Sequence, residues 1–91
     1  MKTIPKSKID EYHNLTLTAL QIAKKSVVKG KEKQAKEILK MVECYLSDAK
    51  HFQEKNNFVN SFACLNYAHG WLDAGVRLKI FNVNDNRLFS V

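Results

Sequence analysis

Apolar residues recur at helical spacing in three long stretches of the chain. The first stretch runs from Ser7 to Gly30, where Ser7 and Asp10 form an S-x-x-D capping signature and Gly30 suits the left-handed conformation of a helix end. Its apolar residues fall on a single helical face. They are Ile9, Tyr12, Leu15, Ala19, Leu20, Ile22, Ala23 and Val27. The pattern predicts a first helix bounded by Ser7 and Gly30.

The second stretch, from Lys31 to Lys55, has the alternating three- and four-residue spacing of an amphipathic helix. The residues on its apolar face are Ala35, Ile38, Leu39, Val42, Tyr45, Leu46, Ala49 and Phe52. Asn56 tolerates the position that follows a helix, and Asn57 can cap the next one. The sequence therefore predicts a second helix that ends in a tight turn.

The third stretch, from Phe58 to Phe81, is apolar on two sides. Its main face consists of Phe58, Phe62, Leu65, Leu72, Val76 and Ile80. A second apolar stripe consists of Ala63, Tyr67, Trp71, Ala74 and Leu78. A helix that is apolar nearly all round is either central or covered by another element. The tail, residues 82–91, could fold back over the second stripe through Leu88, Phe89 and Val91.

Short connections between three long helices favour antiparallel neighbours. The predicted fold class is therefore all-α, an up-and-down three-helix bundle over residues 7–81, with a short C-terminal tail, residues 82–91, that packs on the bundle. A length of 91 residues and a hydrophobic content of 45% suit one globular domain. One proline and three glycines leave little material for the turns of a fold with many strands.

The sequence offers little support for an enzyme or a membrane protein. We expect a cytoplasmic protein with no membrane partner, because the chain has neither a signal-peptide pattern nor an apolar run of ~20 residues. Cys44 and Cys64 do not form a disulfide framework. His69 and Asp73 are only two candidate metal ligands, and no nucleophile lies beside His69. We therefore expect no metal, no cofactor and no catalytic residue.

The positive charge of the chain, +6 at pH 7, lies entirely in its first 40 residues. Ten lysines stand there against four acidic residues. The densest group, a candidate phosphate patch, consists of Lys24, Lys25, Lys29, Lys31, Lys33 and Lys36. Such a group attracts phosphates. It contains neither arginine nor an aromatic residue for base readout. We expect a solvated face, with weak nonspecific nucleic-acid binding as the alternative.

A candidate polar cluster combines one side of the third helix with two residues of the second. Its members are Tyr45, Asp48, Asn66, His69, Asp73 and Arg77. Two interpretations remain open. Asp73 could accept the N–H of a buried His69 while Arg77 pairs with Asp73, a structural network. Alternatively, His69 could act as a general base beside an anion-holding Arg77.

Glycine inside a helix costs about 1 kcal/mol relative to alanine, so Gly70 and Gly75 indicate the close approach of another group. Tight packing within the chain and contact with a second chain both explain them. The candidate interface consists of Tyr67, Gly70, Trp71, Ala74 and Leu78. It predicts a protein partner, or a homodimer, through the third helix.

The segment from Asn66 to Leu78, NYAHGWLDAGVRL, resembles the closing segment of a family of small archaeal domains of unknown function. The resemblance is specific from Cys44 to Phe81, although Lys79 stands where a glycine is expected. It implies an archaeal source, an up-and-down three-helix bundle and an accessory role of the kind found behind nucleotidyltransferase-like domains. The family has no assigned activity, so the resemblance carries over no catalytic residues.

Two functional hypotheses follow. The first is a non-enzymatic protein-interaction or accessory module, supported by the two-sided apolar third helix. The second is a small-molecule or nucleotide-binding protein that uses the polar cluster of Tyr45, Asn66, His69, Asp73 and Arg77. The two differ in whether the surroundings of His69 form a closed core or an open cleft.

Overall fold

A computed structural model describes residues 4–89 of the chain. Three helices follow one another: α1 is Lys6–Lys24, α2 is Glu32–Glu54 and α3 is Phe58–Arg77. Within residues 4–89 the β-structure amounts to an isolated antiparallel bridge between Val27 and Phe81. The predicted all-α three-helix bundle is confirmed. Val91, which was expected to help the tail cover α3, lies outside the described residues.

Contacts between helices show that α2 runs antiparallel to both of its neighbours. Asp10, early in α1, accepts a hydrogen bond of 2.8 Å from the side-chain amide of Gln53, late in α2. Ser61, early in α3, donates from its hydroxyl to the Ala49 carbonyl at 2.7 Å. Because α1 and α3 both run against α2, they are parallel to each other, and their last turns lie at the same end of the bundle.

The core forms along the predicted faces, with α3 at its centre. Both other helices pack more extensively on α3 than on each other. The buried apolar residues of the helices are Ile9, Ala19, Leu20 and Ala23 in α1; Ala35, Ile38, Val42, Leu46 and Ala49 in α2; and Cys64, Leu65, Ala68, Leu72 and Val76 in α3. Because α1 and α2 both pack on the main face of α3, that face is buried in the core.

The first helix is shorter than the sequence predicted. It ends at Lys24, and residues 25–31 form a loop in which Gly30 has a φ of 91°. The backbone in this loop pairs with the chain that follows α3. Val28 N–H donates to the Ile80 carbonyl at 2.9 Å, and Asn82 N–H donates to the Ser26 carbonyl at 2.8 Å. These long-range bonds replace helical bonds, so Gly30 does not terminate the helix.

The helix caps agree with the sequence only at the connection between α2 and α3. The predicted S-x-x-D cap of α1 is wrong, because the helix begins at Lys6 with Pro5 at the N-cap. At the other connection, Asn56 has a φ of 58° and ends α2 as predicted. The Asn57 side chain then caps α3 by accepting the Asn60 N–H at 3.3 Å.

The third helix also ends earlier than predicted, at Arg77 instead of Phe81. Lys79 adopts a φ of 63°, and its N–H donates to the Val76 carbonyl at 3.1 Å. The next N–H, from Ile80, donates to the Gly75 carbonyl at 2.8 Å. This pair of bonds is a Schellman motif, in which glycine is the preferred left-handed residue. A lysine with its Cβ occupies that position here.

The two glycines inside α3 have different surroundings. A Cβ added to Gly75 would overlap the ring of Phe81 and lie 3.3 Å from the side chain of Ile38. At Gly70, an added Cβ would meet nothing within 4 Å. Tight packing within the chain therefore explains Gly75, whereas nothing within the described chain requires a glycine at position 70.

We expect the same substitution at these two glycines to have opposite effects on the free energy of unfolding. Gly75→Ala should destabilise the protein by about 1–3 kcal/mol, because the Phe81 ring must move. Gly70→Ala should stabilise the monomer by up to about 1 kcal/mol through helix propensity. Urea denaturation of both variants measures the difference. Shifts of the same sign would contradict this account of Gly75.

The side chain of His13 is half-buried on α1, and its Nδ1 has no hydrogen-bond partner among residues 4–89. Burial, and secondarily the charge of Lys50, lower the pKa of His13 below its ordinary value of 6.5, whereas Asp10 opposes the shift. The ring of His13 therefore binds a proton less readily in the folded protein than in the unfolded chain.

Stability should consequently fall on acidification. The contribution of His13 to the free energy of unfolding is fully present above pH 6.5, and it is lost as the pH falls through the lowered pKa of His13. His13→Gln should flatten the pH dependence of the free energy of unfolding between about pH 7 and 5. The pKa of Asp10 is lowered too, but the contribution of Asp10 to stability is lost only below pH 3.8, outside this range. An unchanged pH profile in His13→Gln would show that another group is responsible.

Candidate functional site

One side of α3 presents a row of apolar side chains to solvent. The exposed fractions are 57% for Val59, 62% for Tyr67, 38% for Trp71 and 67% for Leu78. Gly70 and Ala74 are exposed as well. We call these six residues the α3 stripe. It contains all five residues of the predicted interface. Val59 was missed, although its position one turn before Ala63 continues the same helical period.

Tyr67 connects the α3 stripe to α2. Its ring is stacked on the ring of Tyr45, with centroids 5.4 Å apart and planes inclined by 29°. Tyr45 is half-buried, so the pair holds Tyr67 against the bundle while most of the Tyr67 side chain remains exposed. The structure therefore places Tyr45 at the edge of the α3 stripe.

The described part of the tail lies over a different surface of α3. The ring of Phe89 is 3% exposed, and its centroid lies 6.4 Å from that of His69. His69 donates a hydrogen bond from Nε2 to the carbonyl of Leu88. The α3 stripe remains exposed beside this contact. Residues 82–89 therefore do not provide the cover that the sequence allowed for the stripe.

His69 is a connector between α1, α3 and the tail. Its Nδ1 lies 3.2 Å from the hydroxyl of Thr16, which is fully buried on α1. A carbonyl can only accept, so the proton on the neutral ring is at Nε2, and Nδ1 accepts from Thr16. His69 thus donates its N–H to the carbonyl of Leu88, whereas the structural network considered from the sequence had Asp73 as the acceptor.

Thr16 was absent from the sequence-based candidates, although the sequence contains a signal for it. It lies one turn after Tyr12 and nearly one turn before Ala19, on the apolar face of α1. A hydroxyl on a core face requires a partner, and His69 supplies it. The other predicted cluster members have different surroundings: Asp73 is half-buried, and Asp48, Asn66 and Arg77 are exposed.

The six lysines of the predicted phosphate patch are all exposed but do not share one surface feature. Lys24 lies 3.7 Å from the carboxylate of Glu43. Lys25 and Lys29 line a groove of about 880 Å³ together with Arg77 and Lys79, which come from the chain at the end of α3. Lys31, Lys33 and Lys36 are not part of its walls. The fold thus joins two of these lysines to cations that are remote in sequence.

Neither a metal site nor a membrane span is found in the described part of the chain. Within residues 4–89, no three His, Cys, Asp or Glu residues are arranged to hold a metal ion. No helix there combines the length and apolar character needed to cross a bilayer. Cys64 is buried, and burial, reinforced by the charge of Asp48, raises the pKa of its thiol. A protonated, shielded thiol is a poor nucleophile.

His69→Ala should destabilise the protein by about 1–3 kcal/mol, because it empties a half-buried site and leaves the Thr16 hydroxyl without its partner. Asn66→Ala, a change at an exposed position on the same helix, is the control and should shift stability by less than about 0.5 kcal/mol. Urea denaturation measures both. A His69→Ala protein as stable as the parent would contradict the structural role.

Comparison with known proteins identifies a family but no characterised relative. No curated protein and no solved structure gives a significant match to the chain. Residues 11–81 match a family described as "Protein of unknown function (DUF357)". The match covers well over half of the chain and includes the whole of α2 and α3. The chain therefore belongs to the DUF357 family of proteins of unknown function.

Proposed function

We propose that this protein is a non-enzymatic interaction module that binds another protein through the α3 stripe. The observation that carries the proposal is the exposure of four large apolar side chains at helical intervals along one helix. Isolated exposed apolar residues are normal on a protein surface, whereas a contiguous row marks a contact surface. The row runs nearly the full length of α3, from Val59 to Leu78.

The residue types of the α3 stripe suit an interface. Trp and Tyr dominate the binding energy of many protein interfaces because they bury a large area at a small loss of side-chain entropy. Tyr67 is already ordered by its stacking on Tyr45, so less freedom is lost when a partner binds. Exposed Asn66 and Arg77 beside the stripe can form its polar rim.

The glycine at position 70 supports close approach of a partner. An added Cβ would meet nothing in the described chain, yet glycine costs about 1 kcal/mol inside a helix. Gly70 and Ala74 are the two smallest residues of the α3 stripe, and both are exposed. A second α3 could cross there with its backbone close to this one. We therefore propose a second copy of the chain as the partner, in a two-fold pairing.

The hydrogen bonds of His69 favour this proposal over a small-molecule site built on the polar cluster. Both ring nitrogens have partners within the chain, Thr16 and Leu88. A general base needs a nitrogen within reach of substrate. His69 is therefore better suited to holding α1, α3 and the tail together.

Sedimentation velocity at micromolar concentrations tests the proposed association. We expect the parent to dimerise with increasing concentration and Trp71→Glu to remain monomeric, because a buried carboxylate would oppose the interface. Leu17→Glu is the matched control. Leu17 is 36% exposed, close to the 38% of Trp71, but lies on α1. This control should associate like the parent.

Three outcomes would contradict the proposal in whole or in part. Equal loss of association in both variants would indicate nonspecific apolar contact. A parent that is monomeric at every concentration, with Trp71 fluorescence protected from acrylamide, would show that the chain itself covers the α3 stripe. A monomeric parent with accessible Trp71 would exclude the second copy and leave a different protein as the partner.

A further inference from the structure

A groove opens at the end of the bundle where α1 and α3 finish. Its walls are residues 25–29, which follow α1, and residues 76–84 at and after the end of α3, with Ile80 and Leu78 outside the walls. The antiparallel bridge between Val27 and Phe81 holds the two segments together. The volume of about 880 Å³ lies within the range of small-molecule sites.

The charged groups in this groove are all positive. Its charged side chains are Lys25, Lys29, Arg77 and Lys79. Asn82 and Asn84 add side-chain amides, and none of the described wall residues is acidic. Four cations therefore line a groove whose described walls contain no acidic residue, and their combined positive potential favours a ligand of negative charge.

Helix dipoles explain only part of this arrangement. Cations are favourable at the C-terminus of a helix, which accounts for Lys25 after α1 and Arg77 in the last turn of α3. Lys79 directly follows the C-cap Leu78 and also lies near this dipole, but its backbone conformation has no such explanation. It adopts a φ of 63°, where glycine is preferred and an L-residue is disfavoured by about 1–2 kcal/mol. A charged side chain at that position places a cation at the groove at the expense of backbone energy.

We infer that the groove between residues 25–29 and 76–84 binds a small molecule that carries two or more phosphate groups. Phosphate is the common ligand that matches lysine, arginine and amide donors together. A phosphate monoester carries about −1.5 to −2 charges at pH 7, so four cations exceed what one such group neutralises. Phe81, the aromatic residue in the walls, is buried, so a nucleobase would find no exposed ring to stack on.

The site differs from the one that the sequence suggested. Lysines 31, 33 and 36 of the predicted patch lie outside the groove, whereas Arg77 and Lys79 come from the other half of the chain. The inference does not depend on the α3 stripe, because none of the six residues of the stripe lines the groove.

Calorimetric titration of the full chain with inorganic triphosphate tests the inference. The variant combines Lys29→Gln with Lys79→Gly, which removes two cations and places glycine where the backbone favours it. The control combines Lys50→Gln with Lys55→Gln, which removes the same charge from exposed positions near the end of α2, at the opposite end of the bundle. We expect the groove variant to bind triphosphate at least tenfold more weakly than the parent and the control to lose less than twofold.

Several results would overturn the inference. Equal weakening in both variants would show that the net charge, not the groove, attracts the anion. Failure of the parent to bind triphosphate at millimolar concentration and low salt would exclude the site. Binding of a single-stranded oligoribonucleotide without binding of triphosphate would identify the lysines as a nucleic-acid surface instead. Thermal unfolding of both double variants verifies that each is folded before titration.

Discussion

The contact between the ring of Phe81 and the backbone of Gly75 determines how the end of the bundle is built. Phe81 is the largest fully buried side chain, and its ring fills the space that a Cβ on α3 would occupy. The chain can bring this ring back onto α3 only by reversing at once, which requires the left-handed conformation of Lys79. The same return pairs Phe81 with Val27, and this pairing positions the loop that follows α1.

The central position of α3 explains why two unlike surfaces occur on so small a protein. Its inner side is used by α1 and α2 together, so the remaining apolar residues are left on the outer side as the α3 stripe. At its C-terminal end, the chain after α3 lies against the loop after α1. Together they form the groove, and the charged residues in its walls are all cations. Apolar area favours a protein partner at the first surface, and unbalanced positive charge favours an anion at the second.

The contact of His69 with Thr16 and Leu88 attaches the tail to the bundle. The hydroxyl of Thr16 is fully buried, and its pairing with His69 avoids the desolvation penalty of an unpartnered group. His69 in turn holds the carbonyl of Leu88, beside the buried ring of Phe89. A single side chain thus links α1, α3 and the tail. With residues 82–89 in this position, the side chains of the α3 stripe remain exposed.

The sequence by itself determined the three helices, the core face of each, the Asn56–Asn57 connection and the apolar surplus on α3. These features depend on spacing within one helix or on a local cap, and both are visible in neighbouring residues. The tertiary structure alone decided where α1 and α3 end, which partner His69 has, and which cations share the groove. These features depend on contacts between separate parts of the chain, such as Ser26 with Asn82 or Thr16 with His69. The end of α3 also depends on the packing of Phe81 against Gly75. These tertiary contacts compete with local conformational preferences. Val28, within the stretch predicted to be helical, bonds instead to Ile80, and Lys79 adopts a backbone conformation that favours glycine.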